Sequence, residues 1–178
     1  MAELEKVQLL NFDIDQYLKD GDATVAACAQ AKAVADEIHE QGYENIFLLG
    51  IGGTYDELDM VRYFMKKYSE VEVHLVNAAE LNVMGDNRLK KDSVVVTASA
   101  SGDTKEIVEN ITAQGIRVVA FTREDTPLGK LATTVISAPV ATGRCDFTYL
   151  LFQAFALRLL NLRGDFDRYD DYMAQTKN

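Results

Sequence analysis

The sequence contains little of what marks a secreted, disulfide-bonded or zinc-binding domain. It has only two cysteines, Cys28 and Cys145, which lie far apart with no paired spacing. A disulfide framework or a zinc site needs several cysteines or histidines at short intervals, so neither is indicated. No other grouping of metal-binding side chains stands out, and we expect no metal and no cofactor. The simplest setting for such a chain is a reducing cytoplasm.

Basic residues are also scarce. The chain carries 18 Lys and Arg against 28 Asp and Glu, a formal net charge of −10. Nucleic acids and anionic membranes are bound through basic surfaces, so we expect neither as the main partner. No apolar run approaches the length that spans a bilayer. The opening residues, MAELEKVQLLNFD, are charged and lack the apolar core of a secretory signal, so none is predicted.

What the sequence does have is a regular alternation of apolar runs and amphipathic segments. Its 178 residues suit one domain with a sizeable core. Several runs are almost continuous in Val, Ile and Leu, which is typical of strands covered on both faces of a parallel sheet. The predicted strands are 45–51, 71–77, 93–99, 117–123 and 133–139. The predicted helices are 23–41, 54–68, 78–84, 104–114, 127–131, 145–162 and 166–175. We therefore predict an α/β fold, a three-layer αβα sandwich around a five-stranded parallel sheet.

Two strand-to-helix loops stand out, because sheets of this kind bind ligands beyond the carboxyl ends of their strands. The loop after the first strand, GIGGT at 50–54, has three glycines that free the backbone for positive φ. The loop after the third strand, ASASGDT at 98–104, places three hydroxyl side chains around one glycine. Unpaired amides at a helix N-terminus, with hydroxyls beside them, suit a phosphate monoester.

Each loop also has an interpretation as a simple helix cap. Thr54 with Glu57, and Asp103 with Glu106, follow the capping-box pattern, in which side chains satisfy the first helix amides. A cap contributes about 1 kcal/mol and needs one polar side chain, whereas the loop at 98–104 supplies three hydroxyls. The first loop has part of a dinucleotide fingerprint, but its third glycine and the acidic residue of the next strand are missing. It has no lysine in the Walker A position, which excludes a P-loop nucleotidase.

The second loop resembles the phosphate loop of the SIS (sugar isomerase) domains. That loop reads S-x-S-G-x-T-x-E, and SASGDTKE at 99–106 matches every fixed position. The Gly-Gly-Thr of the first loop, NAAEL at 77–81 and the stretch 121–139 resemble further segments of these domains. The similarity covers residues 20–162 and implies a flavodoxin-like fold. It divides the chain into an N-terminal extension at 1–22, a phosphosugar-binding domain at 23–163 and a C-terminal helix or linker at 164–178.

Within this family the chain is most similar to the N-terminal half of two-domain sugar-phosphate enzymes, above all the deglycases that act on fructosamine 6-phosphates. The resemblance implies pairing, either as a homodimer or with a second SIS domain. It also implies that Glu80 and Asp146 lie where relatives approach the substrate. The sugar phosphate would be bound by Ser99, Ser101, Gly102 and Thr104, with Gly52, Gly53 and Thr54 facing the sugar.

The chain departs from these relatives in its acidic and basic groups. Aldose–ketose interconversion, or deglycation of a ketosamine 6-phosphate, needs a base near C1 and C2. In the two-domain relatives a Glu…His-Gly-Pro segment of the second half supplies that base, and this chain has no His-Gly pair. We nominate Glu80, Glu57 and Asp146 as candidate catalytic carboxylates. The helix after the first loop opens with an acidic cluster, Asp56, Glu57 and Asp59, which either complements the helix dipole or favours a substrate amine.

Three functions remain open at this stage. The chain is one half of a cytoplasmic isomerase or deglycase for a ketosamine 6-phosphate or amino-sugar phosphate, a non-catalytic sensor of a sugar phosphate, or a structural module with two capped helices. The helix at 147–160, FTYLLFQAFALRLL, is apolar on most of its circumference. Such a helix is either deeply buried or part of an interface, and we expect both.

Overall fold

The sheet at the centre of the molecule has five parallel strands. The computed structural model describes residues 13–137 and 145–176. Its strand order is β2-β1-β3-β4-β5, and every pairing between neighbours is parallel. The strands are β1 (Asn45–Gly50), β2 (Glu72–Asn77), β3 (Val94–Ala98), β4 (Arg117–Thr122) and β5 (Thr134–Ser137). The predicted fold class is confirmed, and each strand lies within its predicted range.

Helices cover both faces of this sheet. The helices are α1 (Ile14–Gln41), α2 (Gly53–Tyr68), α3 (Ala78–Met84), α4 (Lys105–Gln114), α5 (Pro127–Leu131), α6 (Cys145–Leu162) and α7 (Tyr169–Gln175). One apolar cluster joins α1, α2, α6 and α7 to the sheet, and a second joins α3, α4 and α5 to the other face. The continuous Val, Ile and Leu runs of β1, β3 and β4 are buried because each strand faces both clusters.

The first helix is longer than predicted. It begins at Ile14 rather than near residue 23, with the side chain of Asp13 accepting a hydrogen bond from the Gln16 amide at 3.0 Å. The helix therefore runs through the boundary that we placed at residue 22. A Cβ at Gly21 would lie 3.5 Å from the Phe147 ring of α6, so this part of α1 packs closely on the domain. The last helix begins at Tyr169 rather than 166, and the predicted end of β5, 138–139, lies outside the described residues.

Helix α6 owes its apolar composition to burial within the chain. It packs between α1 and α2, and most of its large side chains are buried. The rings of Phe152 and Phe155 meet the Phe121 ring of β4 edge-on, with centroids 4.7 and 5.9 Å apart. Buried aromatic pairs of this kind are a large part of a core's stability. The prediction of deep burial is confirmed, whereas an interface on this helix remains a prediction. No described helix is both long and apolar enough to cross a bilayer.

The connections place a crevice beyond the carboxyl ends of β1 and β3. From β1 the chain crosses through α2 to β2, and from β2 it crosses the other face through α3 to β3. In sheets with this order, the point where the winding reverses is where ligands bind. Leu49 and Thr97 are paired across the two strands, and the Thr97 hydroxyl donates to the Leu49 carbonyl oxygen at 2.7 Å. The loops that follow β1 and β3 therefore start side by side.

Candidate functional site

The hydroxyls of the loop after β3 form hydrogen bonds with one another. The Ser99 hydroxyl, which is buried, lies 2.8 Å from the Thr104 hydroxyl and 3.4 Å from the Ser101 hydroxyl. It also accepts a hydrogen bond from the Gly102 amide at 2.9 Å. Ser101 is exposed and Thr104 is half-buried, so two of the three residues are accessible to solvent. The structure brings together all four residues that we predicted for the phosphate.

The backbone of this loop is held from two sides. The Ser99 amide donates to the Phe121 carbonyl oxygen at 3.2 Å, and the Thr122 hydroxyl donates to the Ser99 carbonyl oxygen at 2.8 Å. The Gly102 carbonyl oxygen accepts from the Leu128 amide of α5 at 2.8 Å. These contacts fix the loop against β4 and α5 before any ligand binds.

Gly102 is required by both its conformation and its surroundings. Its φ is +70°, a left-handed value that residues with a Cβ rarely adopt. A Cβ at this position would also overlap the side chain of Thr126, which caps α5. The motif resemblance implied that Gly102 is one of the residues that bind the phosphate. In the structure the Gly102 amide donates a hydrogen bond to the Ser99 hydroxyl, so Gly102 shapes the loop. The amides that follow Gly102 lie nearer the start of α4.

The helices that follow β1 and β3 begin without a side-chain cap. In α1, α3 and α5 the first amides are bound by the side chains of Asp13, Asn77 and Thr126. The N-cap residues of α2 and α4 are Gly52 and Thr104, and neither gives a side-chain hydrogen bond to its helix. The short helix α7, in the layer opposite α4, also begins without one. Uncapped amides and the helix dipole leave partial positive charge at the edge of the crevice.

Both capping-box interpretations are therefore wrong. Thr54 lies inside α2 as its second residue, because the helix already begins at Gly53. Asp103 precedes the N-cap of α4, and the N-cap itself, Thr104, bonds to Ser99 rather than to a helix amide. A sequence pattern fixes the spacing of hydroxyls and carboxylates, but the path of the loop decides whether a hydroxyl meets an amide or another hydroxyl.

The loop after β1 lies close to its own helix. A Cβ at Gly50 would lie 2.7 Å from the backbone nitrogen of Tyr55, so only glycine allows the first turn of α2 to pack over the end of β1. Gly52 and Gly53 are exposed, and Thr54 is half-buried in the first turn. The three residues predicted to face the sugar thus lie at the carboxyl end of β1, beside the hydroxyl loop.

The candidate catalytic carboxylates lie on three different helices. Glu80 is exposed in the first turn of α3, and Glu57 is half-buried on α2 in the opposite layer. Asp146 lies in the first turn of α6, where its carboxylate accepts a hydrogen bond from the Tyr17 hydroxyl at 2.6 Å. Tyr17 and Phe147 also pack with ring centroids 5.0 Å apart. Asp146 therefore has a structural role in joining α1 to α6.

Sequence reasoning missed the residues that support the loops. Thr126 is buried, donates to the Arg123 carbonyl oxygen at 2.7 Å and accepts from the Gly129 amide at 3.1 Å. The signal was present, because a Thr directly before Pro127 is typical of a helix start. Asn82 of α3 donates to the Glu106 carbonyl oxygen of α4 at 2.9 Å and accepts from Asn110 at 2.9 Å. Nothing in the sequence pattern indicates that pair.

The chain was compared with known proteins by sequence and by structure. No protein-family model and no curated protein matches it by sequence. Solved structures do match it. A proposed phosphosugar isomerase from Salmonella typhimurium LT2 has a TM-score of 0.71 at 22% identity, covering 85% of this chain and 48% of that protein. The C-terminal domain of glucosamine-fructose-6-phosphate aminotransferase from Francisella tularensis has a TM-score of 0.72 at 18% identity, covering 90% and 50%.

A third structure is similar over almost its whole length. The Escherichia coli CFT073 protein c3406, solved in complex with a sugar phosphate, has a TM-score of 0.65 at 19% identity, covering 92% of this chain and 98% of that protein. The chain thus spans about half the length of the Salmonella and Francisella proteins and nearly all of c3406. Its fold is that of an SIS-type domain, as the motif resemblance predicted.

Proposed function

We propose that this chain binds a sugar phosphate in the crevice between β1 and β3, with the phosphate held by Ser99, Ser101, Thr104 and the first turn of α4. The observation that carries the proposal is the uncapped start of α4 beside a group of three hydroxyls, in which those of Ser101 and Thr104 both bond to that of Ser99. A phosphate dianion accepts hydrogen bonds from amides and hydroxyls and is favoured by the positive end of the helix dipole. The complex of c3406 with a sugar phosphate supports the same ligand class.

The sugar then lies over the loop after β1. Gly52, Gly53 and Thr54 are next to the hydroxyl loop because β1 and β3 are hydrogen-bonded neighbours. Glycines at that point allow the hydroxyl groups of a sugar to approach the backbone. The site uses dipoles rather than full charges, since the nearby Lys105 is exposed and paired with Glu109 at 3.7 Å. A ligand held without a fixed cation is released readily, as turnover requires.

The reaction that suits this site is isomerisation or deglycation of a ketosamine 6-phosphate or amino-sugar phosphate. Both proceed by proton transfer near C1 and C2, and a fixed phosphate provides the orientation. We propose that the chain acts in the cytoplasm and as a pair, as a homodimer or beside a second SIS domain that supplies the base. The half-length match to the Salmonella and Francisella proteins supports such pairing.

A non-catalytic sugar-phosphate sensor is the second candidate. One observation favours it: Asp146, a candidate base, is held by the Tyr17 hydroxyl and joins two helices. Glu80 and Glu57 lie in opposite layers and do not form an evident acid–base pair. In this case ligand binding would change how the domain meets a partner, and the isolated chain would bind without turnover.

Thermal unfolding with fructose 6-phosphate, glucosamine 6-phosphate or inorganic phosphate tests the binding site. A ligand at a hundred times its Kd stabilises the native state by about 2.7 kcal/mol, which raises the Tm of a domain of this size by roughly 5–10 °C. Thr104→Ala should reduce that shift. Thr112→Ala is the matched control, because Thr112 is an exposed threonine near the other end of α4. An equal shift in both variants would contradict the site.

Turnover separates the two candidates. The chain that shows a ligand-dependent Tm shift is incubated with fructose 6-phosphate and with a fructosamine 6-phosphate, and the products are followed by NMR. Conversion supports an enzyme, and Glu80→Gln and Glu57→Gln then identify the base. Binding without conversion, at every ligand tested, is expected both of the sensor and of a domain whose base comes from a second SIS domain, whereas conversion by the isolated chain excludes the sensor.

A further inference from the structure

A groove lies between α1 and α7, apart from the proposed phosphate and sugar positions. Its volume is about 460 Å³. Its apolar walls are formed by Val25, Ala26 and Ala29 of α1 and by Tyr169 and Met173 of α7. Of the described residues at the carboxyl ends of β1 and β3, none lines it. The groove is therefore a separate feature of the molecule, on the helical layer that contains α1.

The apolar side of α1 continues beyond the groove toward the start of the helix. With about 3.6 residues per turn, Ile14 and Leu18 lie on the same side of α1 as Val25 and Ala29. Ile14 is 61% exposed and Leu18 is 59% exposed. Large apolar side chains that are exposed together on one face mark a surface that another protein covers. This side of α1 has the character of an interface between helices.

Two opposite charges on α1 border the groove. Asp22 and Lys32 are both part of its lining, and the ten residues between them correspond to about 15 Å along the helix. Asp170 of α7 is the third charged residue of the lining. Within residues 13–137 and 145–176, no ion pair involves any of the three. The two charges of α1 are thus available to a molecule that lies in the groove.

The arrangement of these charges is complementary to itself. Asp22 and Lys32 are equally far along α1 from Ala27, so a two-fold axis at the level of Ala27 relates two antiparallel copies of the helix. Asp22 then lies opposite the partner's Lys32, and Lys32 lies opposite the partner's Asp22. Val25 lies opposite the partner's Ala29, which is small enough for the two helices to approach closely. A parallel copy would instead place Asp22 against the partner's Asp22, and like charges disfavour that arrangement.

We infer that a second copy of this chain occupies the groove, with its α1 antiparallel to the first and two Asp22–Lys32 ion pairs between the copies. The apolar walls then bury the surface that each copy leaves exposed, including Met173 of α7. The inference deepens the pairing that is part of the proposed function, because it selects a second copy as the partner and names the surface. It rests on that pairing and not on the binding of any ligand.

Analytical ultracentrifugation of the full chain over a range of concentrations tests this inference. The wild-type chain should form a dimer of 19.8 kDa subunits. Asp22→Lys and Lys32→Asp each turn both ion pairs into repulsive contacts. A partly exposed ion pair changes affinity by about two- to fivefold, so each reversal should raise the Kd of the dimer by at least about tenfold. Lys66→Asp, an exposed change of the same charge on α2, should leave the Kd unchanged.

A mixture of the two variants gives the sharper result. An Asp22→Lys chain has two positive groups beside the groove and a Lys32→Asp chain has two negative ones, so the mixture should form a heterodimer with an affinity near that of the wild type. Its formation would also show that both variants are folded. A wild-type chain that stays monomeric, or a dimer that neither reversal weakens, overturns the inference. The ligand-induced rise in Tm is measured separately, and its absence would overturn the proposed phosphate site while leaving this interface standing.

Discussion

The hydroxyl of Ser99 lies 2.8 Å from the hydroxyl of Thr104, across the turn that joins β3 to α4. Thr104 is the N-cap residue of α4, yet its side chain bonds to the strand end instead of to the helix. The first amides of α4 are consequently left for another acceptor. This pairing fits the proposed phosphate site, since the N-cap side chain of a capped helix would bond to a helix amide instead.

The pairing predicts that Ser99 and Thr104 contribute to stability together. Ser99→Ala and Thr104→Val each remove one partner of the same hydrogen bond, so their effects on the free energy of unfolding should not add. We expect a coupling of about 0.5–1 kcal/mol in a double-mutant cycle measured by urea unfolding. Thr104 and Thr112 share no partner, so the effects of substituting them on the free energy of unfolding should add, and this pair serves as the control. Additive effects at Ser99 and Thr104 would mean that the two hydroxyls act separately.

Adding one methyl group at Gly102 should lower the free energy of unfolding strongly. Gly102→Ala places a Cβ at φ +70° and against Thr126, so left-handed strain and overlap both act. Together they should lower the free energy of unfolding by about 3 kcal/mol, measured by urea unfolding. Gly115→Ala is the control, because Gly115 is also left-handed, at φ +57°, but has open space around it.

The control, Gly115→Ala, should lower the free energy of unfolding by only about 1 kcal/mol, because it adds left-handed strain without an overlap. Equal costs at Gly102 and Gly115 would mean that the loop moves aside and that Thr126 does not hold it.

The sequence predicts the sheet well because the signals there are local. Runs such as SVVVT at 93–97 are buried on both faces, and no alternative structure accommodates them so well. The start of α1 could not be predicted in the same way. Gly21 between two aspartates interrupts the helical pattern, and the helix continues there because it packs against Phe147 of α6. A tertiary contact overrides a local preference.

The candidate site likewise has a part that the sequence predicts and a part that depends on the three-dimensional path of the chain. The motif S-x-S-G-x-T-x-E predicted which residues of the loop would cluster, and they do. The direction of their hydrogen bonds could not be predicted, since Ser99 and Thr104 meet only when Gly102 turns the chain. The candidate carboxylates Glu57 and Glu80 lie in different layers because α2 and α3 cover opposite faces of the sheet. That arrangement follows from the strand order, which the sequence alone did not specify.

Asp86 predicts a change in stability at acid pH. Hydrogen bonds from Arg88 lower the pKa of the Asp86 carboxyl from 3.8 to about 2 in the folded protein. The stabilisation is therefore complete above pH 4 and is lost as the pH falls through 2. Asp86→Asn should destabilise the protein by about 1 kcal/mol at pH 6, a modest value because Arg88 is solvent-exposed.

Urea unfolding from pH 6 down to pH 2 measures this difference. The curves of the wild-type and Asp86→Asn proteins should converge toward pH 2. In an Arg88→Gln background the substitution should have a smaller effect, because the guanidinium that lowers the pKa most is gone and only the backbone amide of residue 88 still donates to Asp86. A constant difference over the whole range would mean that Asp86 stabilises the chain by packing rather than by charge.

The buried thiol of Cys28 should react only when the protein unfolds. Its side chain is 3% exposed, its Sγ donates to the Thr24 carbonyl oxygen at 3.4 Å, and burial raises the pKa of the thiol to about 11. At pH 8 only about one molecule in a thousand carries the reactive thiolate, and the surrounding helices block access as well. In a Cys145→Ser variant, a thiol reagent should therefore label the chain at the rate of unfolding. Labelling should accelerate with urea in step with the loss of helical circular dichroism. Rapid labelling in native buffer would show that α1 separates from α7 at Cys28 without global unfolding, and the core of this layer would then be less stable than its burial indicates.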